Sequence, residues 1–199
     1  TTLAELGNTV YCVDIDAKKV ARMKEGIVPI YEPGLEEMFL RNIQAQRLFF
    51  TTDIKEVLGK SEVIYLALPT PPGEDGSADL SYVLSVANQI GELLTDYKVI
   101  VNKSTADRVR ETISAKTSVA FDVVSNPEFL REGFAVEDSM NPARVIVGSE
   151  SERAQEIMSK IYQPFTNIGI PIIFMAEKSS ELTKYAANSF LAVKITFMN

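Results

Sequence analysis

The chain has 199 residues, of which 46% are hydrophobic and 24% are charged, a composition typical of a folded globular protein. Its net charge of −7 disfavours a broad basic surface for nucleic acid, and no apolar run approaches the roughly 18 residues of a membrane-spanning helix. The absence of histidine and the single cysteine exclude a Ser-His-Asp triad, an internal disulfide and a four-cysteine zinc site. Acid–base chemistry must therefore use Asp, Glu, Lys, Tyr or bound water, and without a signal peptide we expect a cytoplasmic protein.

Apolar segments of strand length alternate with amphipathic segments of helix length along the chain. In the first half we predict, in chain order, a helix ending at Gly7, strand 9–13, helix 16–25, a turn at 30–34, helix 35–44, strand 47–51, helix 53–58, strand 63–68, a loop at 69–78 and a helix capped by Asp79 that ends at Leu94. In the second half we predict strand 99–101, helix 107–116, strand 121–124, a loop with at most one helical turn at 126–142, strand 145–147, helix 152–162, strand 171–174 and a last helix from Ala176 onward.

The predicted strands are apolar without alternation and are separated by helices, which indicates a parallel sheet covered on both faces. We therefore predict an α/β fold with a doubly wound parallel sheet. It is formed by a domain at residues 1–175, and the start of a long connecting helix follows at 176–199. Because the chain begins inside one helix and ends inside another, we expect a piece of a longer protein that lacks the first, central strand of the sheet.

The first motif concerns nucleotide binding, because an acidic residue that ends a strand is the ribose-binding half of the dinucleotide motif. Asp14 stands in that position, and the glycines of the motif would precede residue 1. Its carboxylate would accept hydrogen bonds from ribose hydroxyls and repel a 2′-phosphate, which favours NAD over NADP. Lys19, one helical turn after Asp16, could reach the ribose or the pyrophosphate. The alternatives are an acid that merely ends a strand and a solvated lysine, while Cys12 is interpreted as a buried structural thiol.

Polar residues follow three of the predicted strands. Thr70, Thr105 and Glu128 come shortly after the strands predicted third, fourth and fifth. In open parallel sheets ligands bind beyond the carboxyl ends of the strands, so we expect these residues to converge on one crevice. Each also has an ordinary explanation, since Thr70 lies in a proline-rich turn and Ser104 or Thr105 could cap the next helix.

The last predicted helix is apolar on nearly every side, and we therefore expect it to be buried. Lys184 and Asn188, at i and i+4, nevertheless share a face with Leu191 and Ile195. A buried ammonium is costly unless it is paired. We interpret the pair as a site in which Lys184 stabilises negative charge and Asn188 orients a polar ligand, and the alternative is a lysine that extends to solvent.

Seven motifs occur together and in order: VDID at 13–16, IYEPGLEEM at 30–38, PTPPGEDGSADLSYV at 69–83, KST at 103–105, SNPEFLREG at 125–133, RVIVG at 144–148 and KYAANSFLAVKI at 184–195. Over essentially the whole chain they resemble the UDP-glucose/GDP-mannose dehydrogenase family, most of all its members that oxidise UDP-glucose to UDP-glucuronate for polysaccharide synthesis. SNPEFLREG and KYAANSFLA carry most of the specificity.

The resemblance implies an enzyme that oxidises the C6 alcohol of a nucleotide sugar with two NAD, through intermediates linked to a cysteine. NAD contacts are implied for Asp14, Lys19, Thr70, Thr105 and Glu132. The implied substrate contacts are Glu128, Phe129, Leu130, Arg131, Glu132, Lys184 and Asn188.

Catalytic roles follow from the same resemblance. It implies that Thr105 and Glu128 position water and assist thioester hydrolysis. Lys184 and Asn188 correspond to the residues that stabilise the oxyanion and orient the substrate. No metal is implied, and the implied partner is a second copy bound through the last helix.

The chain departs from the family in two ways. The catalytic cysteine and its partner aspartate lie in the family's second half, Cys12 does not match that cysteine, and we expect this chain alone to be inactive. After KST the family often has Val-Pro, where this chain has Ala106 and Asp107, so the start of the helix could differ. Two alternatives stay open: a dehydrogenase of another nucleotide sugar, GDP-mannose or UDP-N-acetylmannosamine, and a non-catalytic NAD-sensing module.

Overall fold

The computed structural model describes residues 1–71, 78–102 and 105–198. The chain divides into two compact units, each drawn from three segments. The first unit comprises Thr1–Ser61, Phe129–Val145 and Ile157–Ile172, and the second comprises Glu62–Glu128, Ile146–Glu156 and Ile173–Asn199.

Helices and strands alternate through both units, which confirms the predicted α/β class. The strands are β1 (Val10–Val13), β2 (Leu48–Thr51), β3 (Val63–Tyr65), β4 (Lys98–Asn102), β5 (Phe121–Ser125), β6 (Val145–Gly148) and β7 (Ile172–Met175). The helices are α1 (Thr2–Glu5), α2 (Ala17–Lys24), α3 (Leu35–Gln44), α4 (Lys55–Leu58), α5 (Ser81–Leu93), α6 (Ala106–Ser114), α7 (Ala135–Met140), α8 (Glu152–Ile161), α9 (Gln163–Asn167) and α10 (Glu177–Met198).

In the first unit, β1 and β2 pair in parallel from Val10 opposite Leu48 to Val13 opposite Thr51. The Asp16 side chain starts α2 by accepting hydrogen bonds from two backbone N–H groups of its first turn. The core of this unit contains Ala4, Val20, Met23, Phe39, Leu48 and Phe50. Full burial of a large apolar side chain contributes about 1.5–3 kcal/mol, so this core holds the end of β1 in place beside the start of α2.

The second unit contains β3, β4, β5 and most of β6 and β7, in a sheet of order β3-β4-β5-β6-β7 within the described residues. β3, β4 and β5 run parallel, so their carboxyl ends lie at one edge. All of β4 is buried, in keeping with its apolar centre, Val99–Val101. β5 and β6, however, pair antiparallel at Ser125 and Gly148. The predicted parallel sheet is confirmed for β3, β4 and β5, and the single antiparallel bridge between β5 and β6 was not foreseen, because apolarity reports burial on both faces and not strand direction.

Three local predictions differ from the structure. β3 ends at Tyr65 rather than at residue 68, and α9 was not predicted. The segment 126–142, expected to hold at most one helical turn, contains the six residues of α7. The carboxylate of Glu32, a hundred residues earlier, accepts hydrogen bonds at the start of α7, and no local pattern encodes such a cap. Residues 72–77 of the predicted loop and Ser104 lie outside the described residues.

The expectation that the last helix is buried is wrong for most of α10. Ser180 is buried, whereas Phe190 is 71% exposed and Phe197 is 87% exposed. The apolar pattern predicts that these faces favour burial, but it does not identify the surface against which they would be buried. Within the described ranges, no helix is long and apolar enough to span a membrane.

Candidate functional site

The carboxyl ends of β4 and β5 are linked by hydrogen bonds in the second unit. The backbone N–H of Asn126 donates to the carbonyl of Asn102 at 3.0 Å. The Asn126 side-chain amide donates to the carbonyl of Ile146 at 2.8 Å, which extends the link to β6. These contacts fix the start of the loop that leads to Glu128. The segments that follow these two strands therefore start side by side, and the convergence of Thr70, Thr105 and Glu128 on one crevice stays a prediction.

Thr105 lies at the same edge, immediately before α6. Its Oγ1 accepts a hydrogen bond from the side-chain amide of Asn102 at 2.7 Å. Thr105 occupies the N-cap position, but its side chain makes no capping hydrogen bond. Because a hydroxyl both donates and accepts, its proton is still available for an acceptor in the crevice. Thr105 thus stands at the cap position without capping through its side chain, and the alternative cap, Ser104, lies outside the described residues.

Lys184 and Glu128 are in contact although they lie 56 residues apart in the sequence. The Lys184 Nζ lies 2.9 Å from Glu128 Oε1, in a charge-assisted hydrogen bond between α10 and the loop after β5. The Lys184 side chain is 23% exposed and the Glu128 side chain 34%. The ammonium of Lys184 is thus paired with a carboxylate while its side chain stays partly exposed. The contact places a cation and a carboxylate together beyond the carboxyl end of β5.

The first turns of α10 are held by contacts that the sequence patterns did not reveal. The Ser180 hydroxyl is buried and donates to the carbonyl of Ser125 at 3.3 Å. Arg110 of α6 forms an ion pair with Glu177. The backbone N–H of Ala106 donates to Glu181 Oε1 at 3.1 Å. A signal was present, since positions 177, 181, 184 and 188 are spaced by four, three and four residues and therefore share one face of a helix.

Two other predicted residues of this unit are exposed. Asn188 lies one turn after Lys184 on α10, on the face that the helical spacing predicts. Thr70 follows β3 at the same edge of the sheet as Asn102 and Ser125. Their roles stay predictions.

In the first unit, Asp14 follows β1 directly and forms an ion pair with Lys19. Its Oδ1 also accepts a hydrogen bond from the backbone N–H of Asp16 at 3.0 Å. The hydrogen bond from Lys19, followed by that from Asp16, lowers the pKa of Asp14, so its carboxylate is ionised at neutral pH. An ionised carboxylate at the end of a strand is an acceptor suited to the ribose hydroxyls of NAD, so these residues fit the cofactor.

The predicted substrate loop continues in this unit with Phe129, Leu130, Arg131 and Glu132, all exposed. The Arg131 guanidinium makes hydrogen bonds of 2.7 and 3.0 Å to Asp138, whose pKa is lowered mainly by them. Glu32 accepts hydrogen bonds from the N–H groups of Gly133, at 3.2 Å, and Ala135, at 2.6 Å. The end of this loop is thereby fixed before any ligand binds.

Cys12 and metal binding complete the inventory of reactive groups. Burial raises the pKa of the Cys12 thiol, as expected for a structural cysteine in an apolar strand. In the part of the chain that the structure describes, no group of three or more Cys, Asp or Glu side chains is arranged to hold a metal ion.

Comparisons with known proteins agree with the motifs. Residues 1–166 match the model of the UDP-glucose/GDP-mannose dehydrogenase family, NAD binding domain. The chain is 48% identical over 206 residues to the UDP-glucose 6-dehydrogenase TuaD of Bacillus subtilis, covering 100% of this chain and 44% of that protein.

Solved structures give the same picture. A UDP-glucose dehydrogenase from the hyperthermophilic archaeon Pyrobaculum islandicum matches with a TM-score of 0.92 and 37% identity, covering 100% of this chain and 48% of that one. A GDP-mannose dehydrogenase from Pseudomonas aeruginosa matches with a TM-score of 0.87 and 30% identity, covering 98% of this chain and 47% of that one. The chain thus spans about half the length of these relatives.

Proposed function

The chain belongs to the UDP-glucose/GDP-mannose dehydrogenase family, whose NAD-binding domain it contains, and on that basis we propose that it is the NAD-binding part of a UDP-glucose 6-dehydrogenase. The observation that carries the proposal is the 2.9 Å contact between Lys184 and Glu128. It joins a cation and a carboxylate at the sheet edge where ligands of open α/β folds bind.

The proposed reaction oxidises the C6 alcohol of UDP-glucose to the carboxylate of UDP-glucuronate. Bound NAD⁺ would supply the oxidant for the two two-electron oxidations at C6, and water would supply the second carboxylate oxygen. We assign the NAD-binding domain to residues 1–175, and we assign residues 176–199 to the start of a helix leading toward the rest of the enzyme. The relatives' greater length is the support for such a second part.

We propose that Asp14 and Lys19 bind the adenosine ribose and the neighbouring phosphate of NAD. Thr70, Thr105 and Glu132 are proposed as further NAD contacts. The support for the ribose contact is the ionised state of Asp14 and its position at the end of β1.

In the chemical steps, Lys184 stabilises the negative charge that develops on the C6 oxygen, and Asn188 orients the sugar. A preorganised cation stabilises these charged states more than the neutral alcohol, which lowers the barrier. Glu128 and Thr105 position the water that releases the acid, and the Lys184 contact orients the Glu128 carboxylate beforehand. Residues 128–132 line the sugar nucleotide.

A second nucleotide sugar is the main alternative substrate. The 30% identity to a GDP-mannose dehydrogenase structure supports that candidate, and the higher identity to UDP-glucose enzymes favours UDP-glucose. We further propose a cytoplasmic homodimer in which α10 contacts a second copy, supported by the exposed apolar side chains of that helix.

The test is NADH formation by the full-length protein with UDP-glucose, GDP-mannose or UDP-N-acetylmannosamine. We expect two NADH per UDP-glucose consumed, with the highest kcat/KM for that substrate. Faster turnover of another sugar would reassign the substrate. NAD binding without oxidation of any of the three would indicate the non-catalytic module.

A further inference from the structure

At the start of helix α6, the side chain of the N-cap residue makes no capping hydrogen bond. A threonine at the N-cap position ordinarily accepts a hydrogen bond from an N–H of the first helical turn. Thr105 occupies that position with φ −150° and ψ 45°, and its hydroxyl bonds to Asn102 instead. The side chain that would stabilise the helix start is therefore bonded to Asn102 at the end of β4.

Glu181 of α10 binds the first N–H group of α6. Its Oε1 lies 3.1 Å from the backbone nitrogen of Ala106, the first residue of α6, and the two residues are 75 positions apart. Ala106 is 3% exposed, so its N–H would be shielded from water without this partner. A carboxylate also suits the positive end of the helix dipole.

We propose that Glu181 is a positioning residue that fixes the backbone next to Thr105, through the Ala106 N–H, and so keeps the Thr105 hydroxyl on Asn102 and available to the reaction. Glu181 itself contacts backbone and not the reacting groups. Removing its carboxylate leaves the Ala106 N–H unpaired, so the backbone that carries Thr105 loses a contact that fixes it, and the Thr105 hydroxyl can leave Asn102. The inference rests on the function proposed for Thr105.

The test compares Glu181→Ala with Glu181→Gln in the full-length enzyme. Alanine removes the acceptor, and we expect kcat to fall by roughly 10- to 100-fold because a displaced catalytic group loses its geometry. Glutamine keeps an oxygen at the same distance and should restore most of kcat. The KM for UDP-glucose should change little, because Glu181 does not line the proposed sugar contacts.

Glu177→Ala is the matched control, since it removes the neighbouring contact between α10 and α6 without touching the start of α6. We expect it to lower thermal stability about as much as Glu181→Ala and to leave kcat within about twofold. If both variants lost kcat in proportion to stability, Glu181 would have only a structural role.

A double-mutant cycle with Thr105→Ala tests whether Glu181 acts on the reaction through Thr105. If Glu181 acts through the Thr105 hydroxyl, Glu181→Ala should cost little further kcat in the Thr105→Ala background. An undiminished loss in that background would overturn the proposal.

Hydrogen exchange supplies a readout that does not depend on turnover. The amides at the start of α6 should exchange about five- to tenfold faster in Glu181→Ala than in the parent protein. Unchanged exchange would also overturn the proposal. Inactivity of the parent enzyme on every nucleotide sugar would instead refute the proposed function and leave the capping result to stand by itself.

Discussion

At the scale of single residues, the ion pair of Lys184 and Glu128 gives two charged groups a defined geometry. Each side chain is partly exposed, so water screens their attraction, and the pair contributes at most about 1 kcal/mol to stability. Its importance therefore lies in orientation, since one contact fixes both the cation and the carboxylate.

Replacement of Lys184 by methionine tests this view. Lys184→Met keeps the aliphatic stem and removes the charge, and we expect kcat to fall at least about 10²-fold with a small change in melting temperature. Lys184→Arg should not restore full activity, because a planar guanidinium does not reproduce a compact ammonium. Lys194→Met, on the exposed part of the same helix, is the control and should behave like the parent. Near-normal kcat in Lys184→Met would contradict the catalytic assignment.

Asp14 should determine the choice of cofactor. Asp14→Ala removes the acceptor for the ribose hydroxyls, and we expect kcat/KM for NAD to fall about 10- to 100-fold, as for the loss of charge-assisted hydrogen bonds. Relative use of NADP should rise, since the carboxylate no longer repels the 2′-phosphate.

The comparable residue for a control is Asp53, which follows β2 and accepts a hydrogen bond from the Lys55 N–H at 2.8 Å. Asp53→Ala should leave the ratio of NAD to NADP use unchanged. The ribose assignment fails if Asp14→Ala keeps parental kcat/KM for both cofactors, as measured by initial rates.

At the scale of secondary-structure elements, the packing of α10 on the sheet depends on the close approach of its first turn to Gly148. A Cβ at Gly148 would lie 2.6 Å from the Ser180 Cβ and 2.9 Å from the Glu177 Cα. Both distances are shorter than carbon atoms tolerate, so glycine is needed for packing and not for an unusual φ angle. The first turn of α10 can rest on β6 only because this side chain is absent.

Gly148→Ala should therefore destabilise the protein by about 1–3 kcal/mol, because the backbone of α10 would have to move. The melting temperature measures the effect. Gly59→Ala is the control, since a Cβ there meets no atom within 4 Å and its φ is −69°. We expect Gly59→Ala to be neutral or stabilising by about 0.4–1 kcal/mol. Equal melting temperatures for the two variants would contradict the close packing of α10 against Gly148.

At the scale of the whole molecule, acidic side chains outnumber basic ones and several of them depend on ion pairs. The hydrogen bond from Arg41 is the main cause of the lowered pKa of Glu5. Lys19 and Arg131 lower the pKa values of Asp14 and Asp138 in the same way. A carboxyl whose pKa is lower in the folded state stabilises that state above its ordinary pKa, and the benefit disappears as pH falls through the folded pKa.

Stability should therefore decline in acid, starting near the ordinary carboxyl pKa of about 4 and continuing below it. The measurement is the melting temperature between neutral pH and about pH 3. Glu5→Gln should flatten this decline, because one of the responsible carboxyls is gone. Glu150→Gln changes the net charge equally at an exposed position and should keep the parental slope. A parental slope in Glu5→Gln would contradict the role of the Glu5–Arg41 pair.

The sequence alone was sufficient for most helices and strands. α3 has the predicted bounds, and β1 ends immediately before Asp14, as predicted. These features are local, since the spacing of apolar residues and a single cap or glycine decide them. The polar pair on the last helix was also recognisable, because Lys184 and Asn188 interrupt a periodic apolar pattern.

Only the tertiary structure decided which distant residues meet. The contact of Lys184 with Glu128, the cap of Glu181 on Ala106 and the hydrogen bonds of Glu32 at α7 each join groups more than 50 positions apart. The antiparallel pairing of β5 with β6 and the exposure of α10 also belong to this level. The periodicity of apolar residues indicates which side chains favour burial. The contact partner of a side chain and the direction of a strand depend instead on the path of the chain between elements, which a short stretch of sequence does not determine.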